Sequence, residues 1–202
     1  MSKKPTTPGD WFQWDEPDGE WENHMAMLES DSNRVPSVSP PFKNKGEKLG
    51  AYIHHYMACK LLKEEPVFES SYWKYLTYFY GDRLMSNFVD KYVDEVVGVE
   101  ATIKHPFESS KKVRCDLLAY CKDPYGECSG GWGPTCIIDW KFISGKKFYY
   151  DNYDIQMDLY REAYNDAQMC NSGPFLSHVL VVAIFGSGRV SIHRYHGSDT
   201  RE

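Results

Sequence analysis

Ile137-Ile138-Asp139-Trp140-Lys141 is the stretch on which the reading of this chain turns. It is an apolar run carrying one carboxylate and one amine, two residues apart. Side chains alternate faces along a strand, so Asp139 and Lys141 point the same way. Strand propensity favours neither residue type, and buried charges persist only when paired or bound to a metal. Taken alone, the pair also fits a salt bridge on a solvated edge strand, worth about 0–1 kcal/mol. The neighbouring sequence separates the two readings.

The preceding apolar run, Val113-Arg114-Cys115-Asp116-Leu117-Leu118, carries an acid of its own. If the two runs pair as a hairpin, Asp116 lies opposite or diagonal to Asp139 on one face. Two carboxylates so close repel and raise one pKa unless a cation sits between them. Mg²⁺ suits such a pair, as a hard ion that prefers oxygen ligands and is usually held by one or two carboxylates. Lys141 then stands beside the metal-bound water and offsets phosphate charge.

Two helical segments add candidates. His54 follows Gly50 by four residues and precedes Ala58 by four, on a stripe of small residues expected to let the helix approach the sheet. His55 points about 100° away and is the poorer ligand. Gln156 and Tyr160 share a helix face, where they can hydrogen-bond a phosphate or base while Tyr160 offers a stacking ring. Each feature by itself is ordinary: a lone histidine is usually structural, and Gln-x-x-x-Tyr fits any amphipathic helix. Glu100 and Glu47 read as structural acids and stay outside the candidate site.

The periodicity predicts helices over 43–63, 72–80 and 84–92, the last two separated near Gly81-Asp82. Strands are predicted over 96–103, 113–121 and 136–142, then a helix over 152–169. A final hairpin, 179–185 and 190–195, turns at Gly186-Ser187-Gly188. This order gives an α+β domain: a mixed central sheet of about five strands flanked by helices. A Pro-, Gly- and Cys-rich insertion spans 123–134.

Charge is unevenly distributed. Of the net −6, residues 1–42 account for −5, from three basic and eight acidic residues, with Trp11, Phe12, Trp14 and Trp21 among the acids. That segment reads as a flexible acidic, Pro- and Ser-rich arm, ahead of a single domain over 43–202. The acidity is local, so it does not exclude a polyanionic substrate. An aromatic content of 15% excludes disorder throughout. With no apolar signal region and no membrane-spanning run, the expected location is intracellular and cytoplasmic. The six cysteines then read as thiols or metal ligands, and Cys121, Cys128 and Cys136 would allow a zinc-stapled hairpin tip with only three ligands evident.

Together, Gly50-x-x-x-His54, Asp116, Asp139-Trp140-Lys141 and Gln156-x-x-x-Tyr160 resemble the PD-(D/E)xK nuclease superfamily, in its RecB-like exonuclease branch. Order and spacing agree over roughly residues 46 to 196. Each motif is short and degenerate; their succession carries the likeness. The resemblance implies a restriction-endonuclease-like core and a Mg²⁺ or Mn²⁺ site formed by His54, Asp116, Asp139 and the backbone carbonyl of Trp140. It assigns catalysis to Asp116, Asp139 and Lys141, and DNA binding to Gln156 and Tyr160. The implied activity is a metal-dependent exonuclease on single-stranded DNA or duplex ends, in replication, recombination or repair. By family analogy, its partners would be a single-strand binding protein, a helicase or a recombinase. The alternatives are a nucleic-acid-binding module that has lost cleavage and a zinc-stapled interaction protein.

Overall fold

A computed structural model describes residue 28 and residues 32–104, 112–122, 135–149, 153–171 and 178–195. Among these, five strands form one sheet in sequence order: β1 Val93–Lys104, β2 Lys112–Cys121, β3 Thr135–Ile143, β4 His178–Phe185 and β5 Val190–Tyr195. Neighbours are antiparallel except β3 and β4, which run parallel. That pair needs a crossover, and the helix α3, Asp154–Asn171, supplies it. Two further helices, α1 (Lys45–Leu62) and α2 (Ser71–Leu84), precede the sheet. The expected mixed sheet with flanking helices is the fold observed.

Helix α1 begins where the sequence provides a reciprocal cap. The Asn44 side chain accepts from the Glu47 amide at 2.9 Å, while the Glu47 carboxylate accepts from the Lys43 amide at 2.6 Å. It ends with Lys63 in the left-handed conformation, its amide returning to the carbonyls of the last turn. Leu49, Ile53, Tyr56 and Met57 bury one face against Leu117, Ile138, Trp140, Leu180 and Val182 of the sheet. On the opposite face, Met157, Tyr160, Ala163 and Tyr164 of α3 pack on Leu118, Ile137, Val179 and Val181. With helices on both sides, β4 is buried along its whole length, which explains its apolar run from Val179 to Phe185.

The predicted break at Gly81-Asp82 is absent. The chain stays helical through Leu84 and continues through a π-helical turn, Met85–Val89, and a short α-helical turn, Asp90–Tyr92. Gly81 serves a close approach instead: a Cβ there would be driven into the ring of Tyr56, which reaches across from α1 to hydrogen-bond Asp82.

The end of the acidic arm belongs to the sheet edge. Leu28 bridges to Ile103, the Asn33 amide donates to the Val99 carbonyl at 2.7 Å, and the Val99 amide donates to Asn33 Oδ1 at 2.8 Å. The Thr102 amide donates to Ser32 Oγ at 3.0 Å. These bonds cover backbone groups that an edge strand would otherwise leave open. The reading of residues 1–27 and 29–31 lies outside the described residues, as does that of the 123–134 insertion and Cys128. Cys121 and Cys136, two of the three suggested zinc ligands, are fully buried in the α1 side of the core. No described helix is long and apolar enough to cross a membrane.

Candidate functional site

The β2–β3 ladder runs from Tyr120 opposite Thr135 to Leu117 opposite Ile138. Asp116 and Asp139 are the next positions on each strand. Here the strands part, because the Asp116 carboxylate takes the place of a backbone acceptor: Oδ2 receives the Trp140 amide at 2.6 Å. A strand residue turns its N–H and C=O towards the same neighbour, so the Trp140 carbonyl also faces this gap. The Trp140 ring lies in the core, edge-on to Phe88 at 5.7 Å.

A backbone irregularity in β1 completes the cluster. Val99 pairs with Leu117 and Ala101 with Cys115, bracketing Glu100 and Asp116. Glu100 has φ 47°, in the left-handed region that non-glycine residues rarely adopt. Simple alternation would put Val99, Ala101 and Ile103 on one face. Instead Val99 packs on the α1 side and Ala101 and Ile103 on the α3 side. The inversion leaves the buried Glu100 carboxylate beside Asp116. Ligand atoms of His54, Glu100 and Asp116 lie within 4.8 Å of one another. Sequence reasoning set Glu100 aside; the only signal was an acid between Val99 and Ala101, which does not reveal the kink.

His54 reaches the cluster from α1, its Nδ1 3.0 Å from Asp116 Oδ1. Gly50 is not what brings it there. A Cβ at Gly50 would meet only the Phe142 side chain, at an ordinary 3.9 Å. Gly50 instead lines an open cleft of ≈ 610 Å³, with His54, Trp140 and Lys141 on its walls and Lys43 at its rim. His55 turns away as expected: Nδ1 donates to the Pro36 carbonyl at 2.9 Å and Nε2 accepts the Val67 amide at 3.0 Å.

Asp139 is 1% exposed. Its Oδ2 forms an ion pair with Lys141, and its Oδ1 accepts from Gln156 Nε2 at 3.1 Å and from the Tyr160 hydroxyl at 3.2 Å. Gln156 also donates to the Tyr160 hydroxyl. The two α3 residues therefore act together, but on the carboxylate. The ring of Tyr160 is 4% exposed and packed in the core, so it offers no stacking face here. The ammonium of Lys141 also sits 5.3 Å from the centre of the Tyr153 ring.

Crowded carboxylates shape the titration. Burial, then repulsion from Asp116, raises Asp139 to about 6. The same two causes raise Glu100 to about 7. Burial opposes ionisation of Asp116 too, but the His54 charge and hydrogen bond outweigh it and its pKa is lowered. Burial likewise works against the His54 cation, yet Asp116 prevails and raises it to about 9. Glu100, Asp116 and His54 surround one gap, whereas Asp139 falls outside that group and is paired with Lys141 beside it; buried acids so placed favour positive charge. Two carboxylates and one imidazole nitrogen make a donor set of the kind that holds a divalent cation.

No protein-family model and no curated protein matches the sequence. The class defined so far is therefore architectural. It is a five-stranded mixed sheet between helices, with a buried acid–histidine–lysine cluster where the second and third strands part.

Proposed function

We propose that this chain is a Mg²⁺- or Mn²⁺-dependent deoxyribonuclease of the PD-(D/E)xK type, with a restriction-endonuclease-like core, and that it degrades single strands or duplex ends. The observation that carries this is the convergence of Asp116, Asp139 and Lys141 at the parting of two strands, with His54 bonded to Asp116. With Gln156 and Tyr160 of α3 bonded to Asp139, residues from α1, β2, β3 and α3 meet there, which supports this reading.

His54, Glu100 and Asp116, whose ligand atoms lie within 4.8 Å of one another, would hold the cation, and the resemblance adds Asp139 and the Trp140 carbonyl to them. When bound, the cation would supply Lewis acidity to the scissile phosphate and lower the pKa of a coordinated water. The chain's own groups do the positioning. Gln156 and Tyr160 fix Asp139 Oδ1, leaving Oδ2 directed at Lys141. The side chain of Lys141 is 19% exposed at the cleft wall, paired with Asp139. From there its ammonium offsets charge on the phosphate oxygens and orients the attacking water. The open cleft gives an extended strand access, and Lys43 adds charge of the right sign at its rim.

Asp139→Ala and Lys141→Ala are expected to abolish cleavage of labelled DNA while retaining the wild-type circular dichroism spectrum. Wild-type activity in either variant removes the assignment. A protein that binds DNA but never cleaves it under any metal is a binding module instead.

A further inference from the structure

The segment that follows Lys141 is basic and aromatic, and the nuclease reading does not use it. Residues 141–149 contain three lysines, Lys141, Lys146 and Lys147, and no acid. Both ends of the loop are fixed at the site: Ser144 lines the cleft, and Tyr153 places its ring against the Lys141 ammonium. Between them, Phe148 is clamped between two rings. It stacks on Tyr153 at 5.2 Å and 16°, and on His193 of β5 at 4.1 Å and 14°. Both faces of Phe148 are therefore taken, and its role is to pin the loop to the sheet. The residues on either side of the pin face solvent. Lys146 and Lys147 are exposed, and Tyr149 is 62% exposed.

A large, exposed ring next to a pinned residue is held at little further entropic cost, and beside two lysines it forms a stacking platform with phosphate contacts. The geometry points to residues 146–149 as a docking site for single-stranded nucleic acid. Tyr149 stacks an unpaired base, Lys146 and Lys147 neutralise phosphates, and Phe148 positions all three. A duplex keeps its bases inside the stack and offers Tyr149 nothing comparable, so the site gives a single-strand preference. This rests on the reading of the neighbouring cleft as one that takes nucleic acid, but not on cleavage.

The test is binding, measured by fluorescence anisotropy on the full chain under chelation, so that no turnover intervenes. The probes are labelled single-stranded oligothymidylate, a duplex of the same length, and a single strand of abasic residues. Tyr149→Ala is expected to weaken oligothymidylate binding about tenfold, as loss of one base stack does. It should leave duplex and abasic binding unchanged, and Tyr149→Trp should restore affinity. Lys146→Ala and Lys147→Ala should each reduce the salt slope for the single strand by about 0.7. Equal single-strand affinity for wild type and Tyr149→Ala overturns the inference, as does an equal loss on all three probes. Selective binding without cleavage in any metal would uphold the inference and remove the nuclease reading. Cleavage with a silent Tyr149 would do the reverse.

Discussion

At the scale of single residues, the cluster is least stable when Asp139 and Glu100 are ionised and His54 is neutral. Asp139 rises from 3.8 to about 6 and Glu100 from 4.5 to about 7, both through burial and then Asp116. An acid whose folded pKa is raised destabilises the fold once ionised, so each adds a penalty as pH climbs through that range. His54 is raised from 6.5 to about 9, because Asp116 outweighs its burial. Its charge contributes stability that is complete below 6.5 and lost as pH passes 9. All three act in one direction. The metal-free protein is predicted to melt at progressively lower temperature from about pH 4, where Asp139 and then Glu100 begin to lose stability, to about pH 9, where the His54 contribution ends. Mg²⁺ or Mn²⁺ should reverse much of that loss. Thermal melts with and without chelator across this window check it. A flat or rising profile in chelator would show that the carboxylates do not face one another as described.

Secondary-structure elements show what glycine does in each helix. Gly81 lies where α2 meets the Tyr56 ring, with no room for a methyl group, whereas Gly50 faces the open cleft. Gly81→Ala should destabilise by about 1–3 kcal/mol through overpacking. Gly50→Ala should stabilise α1 by about 0.5–1 kcal/mol, since a mid-helix glycine is entropically unfavourable. Urea unfolding of the two variants measures both, and the opposite order would mean that α1 and α2 pack differently. From sequence, Gly81-Asp82 looks like a break and Gly50 like a close approach, because a glycine does not reveal which neighbour it faces. Apolar periodicity was legible wherever packing follows it: the strands, α1 and α3 fall within a few residues of expectation. Glu100 was not legible, because the left-handed residue that inverts β1 is an ordinary acid in an apolar run. The role of Tyr160 changed for a similar reason. The Gln-x-x-x-Tyr spacing fixes a shared face, but whether that face meets solvent or a buried carboxylate depends on the sheet beneath it.

Across the whole molecule, the sheet divides the work. Its α1 face holds most of the aromatic core, and its α3 face carries Asp139, Lys141 and the residues that orient them. The arm's last residues close the β1 edge next to Glu100, so the acidic segment joins the fold beside the candidate site. Asp116 and Asp139 came together because hairpin pairing of β2 and β3 carries the register one step past Leu117 and Ile138. That single step makes the central claim testable with the wild-type chain. End-labelled single-stranded and duplex DNA should be digested with Mg²⁺, Mn²⁺ or chelator, with Lys141→Ala alongside. The account predicts metal-dependent loss of label or shortening from an end, faster on single strands, and none with chelator or with Lys141→Ala. Intact DNA under every metal, or cleavage that persists in chelator, would contradict it.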